Sequence, residues 1–221
     1  MQYITFSGVD GSGKSTQLEL LKEHLIGEGH KVAYFHAIEF SLANRLMRIF
    51  KKQKNFQPGQ EKAVTQASIL TLLLRQKFLF LDIFRFRRFM SRLESEGYEY
   101  LLSDRSFFDS LIHLEYLALP HHNTLRVLFW RTRANLIEEY LPKPDIAFYF
   151  DLDPHQIMSR ERIPEQGITY LQEKQTLFQE KLASWNMQIL DADQPADSIA
   201  TIILEKISTV MPYPRRRGID S

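Results

Sequence analysis

The chain has no cysteine among its 221 residues. That absence excludes a disulfide scaffold, thiolate zinc sites and cysteine-based redox or nucleophilic chemistry. Charge of one sign is also lacking. Lys and Arg together number 28, Asp and Glu 27, for a net charge of +1. No global field therefore favours nucleic acid or an anionic membrane as a partner. A long uncharged apolar run is missing too. The most apolar stretch, 69–90, still carries Arg75, Lys77, Asp82, Arg85, Arg87 and Arg88, too many charges for a bilayer span. The first residues have neither the basic nor the apolar segment of a targeting leader, so the expectation is a soluble, cytoplasmic protein. What is present is 44% hydrophobic and 25% charged, globular values that exclude broad disorder. A chain of this length buries roughly 70% of its unfolded surface and needs no cross-links. One domain over residues 1–210 is expected, with 211–221, including Arg215–Arg217, as a frayed tail.

Five short runs have the composition of buried strands: Tyr3–Ser7, Val32–His36, Tyr100–Ser103, Ile146–Phe150 and Met187–Leu190. Helical spacing fills the intervals. Leu18, Leu21 and Leu25 recur after Lys14, and Gly27 and Gly29 stop that run. Further helices are expected over 41–52, 61–96 (one or two), 110–119, 124–140, 154–162, 169–185 and 197–210. Strands alternating with helices predict an α/β fold: a five-stranded parallel sheet between two helical layers, joined by right-handed crossovers.

Gly8-Val9-Asp10-Gly11-Ser12-Gly13-Lys14-Ser15 fits G-x-x-x-x-G-K-[ST], with a strand before it and an amphipathic helix after it. Glycines there let successive N–H groups face one centre at a helix N-terminus, a nest for a di- or triphosphate. Gly8, Asp10, Gly11, Ser12, Gly13, Lys14, Ser15 and Thr16 are the candidate ATP-binding residues of the loop. Lys14 is expected at the β- and γ-phosphates and the Ser15 hydroxyl on Mg²⁺. Asp10, an acid beside a polyphosphate, is expected to turn from the nucleotide toward a second substrate or the attacking group.

Residues 4–17 closely resemble the opening of thymidylate kinases, which carry G-x-D-G-S-G-K-S-T-Q after a strand. Leu101-Leu102-Ser103-Asp104-Arg105 resembles that family's strand ending in Asp-Arg. Lys143–Pro154 resembles its P-D-x-x-x-x-L-D-x-D-P strand, with Phe150 for the Leu. Arg160 falls seven residues after Asp153, like the family's first lid arginine. The resemblance implies a P-loop kinase with a helical lid, here about 158–172, that moves the ATP γ-phosphoryl group to a nucleoside monophosphate, dTMP foremost. It implies roles for Asp104 at Mg²⁺, for Arg105 at the acceptor or the transferring group, and for Arg160 over ATP. It also implies adenine contacts from Asp191–Pro195 and a homodimer built on long helices.

The acceptor side departs from that pattern. Counting back from Asp104, the family's base-reading arginine falls near Asp82-Ile83 and is missing; Arg85, Arg87 or Arg88 are the substitutes one turn on. Leu114-Glu115 stand where a Tyr-Gln pair is usual, and Ile38–Ser41 replace an Arg-Glu-Pro-Gly loop. Asp104-Arg105-Ser106 and Glu165–Leu171 resemble deoxynucleoside kinases instead, with Glu39 as the general base that a free nucleoside would need. A nucleoside or other small-molecule kinase on the same fold is thus the alternative, and a P-loop ATPase module the third reading. Arg85, Arg87, Arg88 and Arg92 beside Phe84, Phe86 and Phe89 suit a core-packed helix with a basic face over the acceptor cleft better than a nucleic-acid stripe. His121-His122 after Pro120 has the character of a loop, not a metal site.

Overall fold

The computed structural model describes residues 1–45, 68–119, 136–159 and 166–210. Five strands form one parallel sheet: β1 (Gln2–Gly8), β2 (Val32–His36), β3 (Tyr100–Asp104), β4 (Ile146–Asp151) and β5 (Gln188–Asp191), in the order β2-β3-β1-β4-β5. Each lies within a residue or so of the run expected for it. The principal helices are α1 (Lys14–Gly27), α2 (Ala37–Phe40), α3 (Ile69–Ser95), α4 (Phe107–Ala118), α5 (Pro154–Met158), α6 (Gly167–Gln179) and α7 (Ala196–Val210). The tail beyond 210, Arg160 and His121-His122 lie outside the described residues.

Side chains alternate across a strand, and β1 sorts the molecule into two cores. Ile4 and Phe6 pack with Leu18, Leu21 and Leu25 of α1 and with Ile199, Ile203 and Ile207 of α7. Tyr3 faces the other layer, with Phe86 of α3, Leu111 of α4 and Phe178 of α6. Both faces of the sheet are covered, as parallel sheets require. Trp185 closes one end, stacked on Phe108 at 4.3 Å with its indole N–H donating to Glu138 Oε1 at 2.6 Å.

Several helix boundaries differ from expectation: the short α2 precedes Ser41, and α5 leaves helical geometry after Met158, short of 162. α4 begins three residues before Ser110, because Ser106 and Asp109 form a capping box that satisfies the first backbone donors. The helix expected to reach Trp185 leaves regular geometry at Gln179 and ends in a run of turns. The sheet order puts β1 centrally, with β3 and β4 on either side. Loops leaving the carboxyl ends of β1 and β3 are therefore neighbours, the place where open α/β sheets bind ligands.

Candidate active site

The loop between β1 and α1 uses its glycines where other residues are strained. Gly8 has φ 139°, and a Cβ there would stand 2.8 Å from the Phe150 carbonyl oxygen of β4. Gly13, with φ 90°, caps α1 in the left-handed region. Lys14 folds back over the loop and is buried. Its ammonium donates to the Val9 carbonyl at 2.7 Å and to Ser12 Oγ at 3.2 Å. Burial pushes the Lys14 amine down, while Asp104 and Asp109 oppose that. Ser15 Oγ donates to Asp104 Oδ2 at 3.0 Å across the gap from α1 to the end of β3. A hydroxyl and a carboxylate side by side are the hard oxygen donors a Mg²⁺ shell takes, so both residues fit the metal. The curled loop with a lysine amine across it fits a polyphosphate. Thr16 is exposed on the first turn of α1.

Asp10 pairs with Arg105, which brings the loop and the β3 end together. Arg105 has φ 66°, a left-handed conformation that costs a non-glycine residue free energy and that concentrates at functional sites. Two contacts hold it. Its N–H donates to the Phe6 carbonyl at 3.0 Å, and the Ser103 hydroxyl donates to its carbonyl. Beyond it, Asp109 is buried. Its Oδ2 accepts from Ser7 Oγ at 2.6 Å and from Ser106 N at 2.8 Å, and its Oδ1 lies 4.0 Å from the Arg105 guanidinium. Asp10, Lys14, Ser15, Asp104 and Arg105 thus meet at one sheet edge. Arg160 is outside the described residues. The Asp191–Pro195 loop borders an open hollow with Asp151, Asp153 and Gln175, and Gln156 Nε2 donates to Asp193 Oδ2 at 3.0 Å.

The substitutes named for the absent base reader are mostly engaged elsewhere. Asp82 and Ile83 are buried. Arg85 pairs with Asp82, donates to the Phe40 carbonyl at 3.1 Å and lies over the Phe40 ring. Arg87 donates to the Tyr140 carbonyl, and Arg92 pairs with Glu96. Two polar residues that sequence reasoning missed stand further up α3. Arg75 is buried, and so is Gln76, whose amide oxygen and nitrogen both lack a hydrogen-bond partner among the described residues. Arg75 lies near His113 of α4. Burial holds that imidazole neutral well below its usual range, with Lys174, Arg75 and Arg105 adding to the effect. The signal was present: Gln76 interrupts the stripe Leu72, Leu79, Ile83, Phe86 at a core-facing position.

The fold and the loop together define a P-loop α/β architecture. Over nearly all of its length the chain is similar to thymidylate kinases. It is 25% identical over 211 residues, 95% of each chain, to a probable thymidylate kinase of Methanobrevibacter smithii. It is 27% identical over 218 residues to the thymidylate kinase of Thermosipho melanesiensis, covering 96% of this chain and all of that one. The solved structure of thymidylate kinase from Candida albicans has the same fold, with a TM-score of 0.64 at 18% identity over 94% of this chain and 91% of that one. No family model matches the chain.

Proposed function

We propose that the chain is an ATP- and Mg²⁺-dependent kinase that phosphorylates a nucleoside monophosphate, dTMP to dTDP foremost. The observation that carries this reading is the meeting of two half-sites at one sheet edge. The phosphate loop with Lys14, and Ser15 beside Asp104, form the donor half; the Asp10–Arg105 pair opens the acceptor half. The similarity to thymidylate kinases over both chains' length supports dTMP as acceptor, and nothing in the structure favours the nucleoside-kinase alternative. Glu39, the base that reading needs, is exposed on α2.

In this reading a phosphate oxygen of the acceptor attacks the γ-phosphorus, and the β–γ bridging oxygen leaves with ADP. The protein supplies position and charge, with little covalent chemistry of its own. Lys14 leaves the Val9 carbonyl for the β- and γ-phosphates. Ser15 and Asp104 hold Mg²⁺, which neutralises phosphate charge when bound. Asp10 orients Arg105 toward the phosphate in transit, and Arg160 is the further arginine assigned to the ATP phosphates. Arg75 and Gln76, the buried polar pair of α3, are the residues assigned to the base. An amide left unpartnered in a buried wall costs stability unless a ligand satisfies it. Residues 1–210 form the kinase domain, placed in the cytoplasm. Among the described residues no helix is long and apolar enough to cross a membrane. The exposed face of α3 is the surface for a homodimer.

The test is ADP release with each ribo- and deoxynucleoside and each monophosphate as acceptor. Turnover with dTMP exceeding that with thymidine is the expected result. Turnover on free nucleosides alone overturns the reading in favour of the nucleoside kinase. Gln76→Leu is expected to flatten the preference among monophosphates and to leave the KM for ATP unchanged.

A further inference from the structure

Asp109 of α4 is the acid beside the site to which the reading above gives no task beyond a helix cap. The cap uses one carboxylate oxygen. Oδ2 accepts from the Ser106 N–H at 2.8 Å, from Ser106 Oγ at 3.1 Å and from Ser7 Oγ at 2.6 Å. The Ser7 contact spans 102 residues and ties α4 to β1 just before the phosphate loop. Oδ1 takes no part in the cap. It is buried and has no hydrogen-bond partner among the described residues. The charged group beside it is the Arg105 guanidinium, whose Nη1 lies 4.0 Å away. An uncharged amide closes such a box as well as an acid does, without burying a charge.

Arg105 is thereby set between two carboxylates. Its Nη2 donates to Asp10, and its Nη1 stands by Asp109. The two acids differ in kind. The Asp10 side chain belongs to the phosphate loop and is 33% exposed, whereas that of Asp109 is 4% exposed and is fixed by its three donors. A guanidinium is a rigid planar fork. One contact at Nη2 leaves the fork free to turn about that bond. A second charge at Nη1, held on the end of α4, sets its plane.

We propose that Asp109 is a positioning residue for phosphoryl transfer: its Oδ1 sets the angle at which the Arg105 guanidinium meets the phosphate in transit, while its Oδ2 caps α4. This rests on the reading of the chain as a monophosphate kinase. Asp109 touches neither nucleotide and acts through Arg105 alone. Loss of its charge should therefore be felt in the transition state, where the angle of the fork matters, more than in the binding of ATP.

Steady-state kinetics of the full chain with ATP, Mg²⁺ and dTMP test this. Asp109→Asn keeps an acceptor oxygen for the cap and removes the charge beside Arg105. Its kcat should fall by roughly tenfold to a hundredfold, the scale of a small misplacement at the reacting centre. The KM for ATP should stay unchanged. Coupling separates positioning from packing. Arg105→Lys replaces the fork by a point charge and should lower kcat on the same scale. Asp109→Asn added to it should cost less than about threefold more, because the group it acts through is gone. Additive losses in the double variant, an unchanged kcat in Asp109→Asn, or a KM for ATP that rises as kcat falls overturns the proposal. Asp109→Ser repeats the comparison if the Asn variant folds poorly, and a collapsed melting temperature in both reduces Asp109 to a helix cap and overturns it. A wild-type chain that phosphorylates no nucleoside monophosphate fails the functional reading itself; dTMP turnover indifferent to Asp109 fails only this proposal.

Discussion

Lys14 of α1 and Lys174 of α6 are both buried amines, and their surroundings predict different responses to the same substitution. Lys14→Met removes the amine from the phosphate loop. Turnover should fall by roughly a hundredfold to a thousandfold, the usual cost of one charged transition-state contact, while circular dichroism shows an intact fold. Wild-type turnover would exclude the loop from the chemistry. Lys174 adds a pH signature. Its amine falls from 10.5 to about 7 on folding, so between those values the unfolded chain holds a proton that the folded chain lacks. Stability should therefore rise with pH across that window. At pH 7 the penalty is on the order of several kcal/mol, since each pKa unit is worth about 1.4 kcal/mol. Lys174→Met escapes it. The variant should melt higher than wild type at pH 7, with the gap closing toward pH 10. A gap that stays constant across scanning calorimetry at these pH values would show that the buried amine is not strained.

The elements differ in how far the chain's own order announces them. β1 was legible because Ile4 and Phe6 alternate with Thr5 and Ser7 and a glycine loop follows. The fit of that loop to its motif carried Lys14, Ser15 and, through the Asp-Arg strand end, Asp104 and Arg105. The start of α4 was missed although Ser106-Phe107-Phe108-Asp109 spells a capping box, because the apolar period alone was followed. Arg75 and Gln76 were missed for another reason. The count back from Asp104 stops at Asp82-Ile83, two turns of α3 (Ile69–Ser95) short of them. The Asp10–Arg105 pair joins residues 95 apart in sequence, and no local pattern encodes it. Where an element end is set by backbone crowding, the outcome can be stated in advance. Gly8→Ala places a Cβ 2.8 Å from the Phe150 oxygen at φ 139°; Gly13→Ala meets nothing within 4 Å at φ 90°. Both incur strain of about 1–3 kcal/mol, and only the first adds a clash with β4. Urea denaturation should rank Gly8→Ala clearly below Gly13→Ala. Equal stabilities would mean that the β1–β4 contact yields freely at this end.

At the scale of the whole molecule, α3 carries large apolar side chains on two opposite faces, with the exposed Lys77 and Arg88 among those of the outer one. At 100° per residue, Leu72, Leu79, Ile83 and Phe86 fall on one side and are buried, while Leu70, Leu74, Leu81 and Phe84 fall within an arc of about 80° on the other and are exposed. Phe80 and Tyr140 extend that side with a ring contact at 6.0 Å. Phe84 and Leu70 are each 68% exposed, too much for large apolar side chains on a helix that has already satisfied its core. A second copy of the chain offers the same stripe across a two-fold axis, which makes the contact self-complementary. The stripe from 70 to 84 spans about 20 Å of helix, enough to seat one α3 against another. Light scattering at micromolar concentration should therefore report about twice the 26.1 kDa chain mass. Phe84→Glu, at a position outside both cores, should shift the population to monomer and leave the melting of the isolated fold little changed. A wild-type chain that remains monomeric at high micromolar concentration removes the second copy as the occupant of this face.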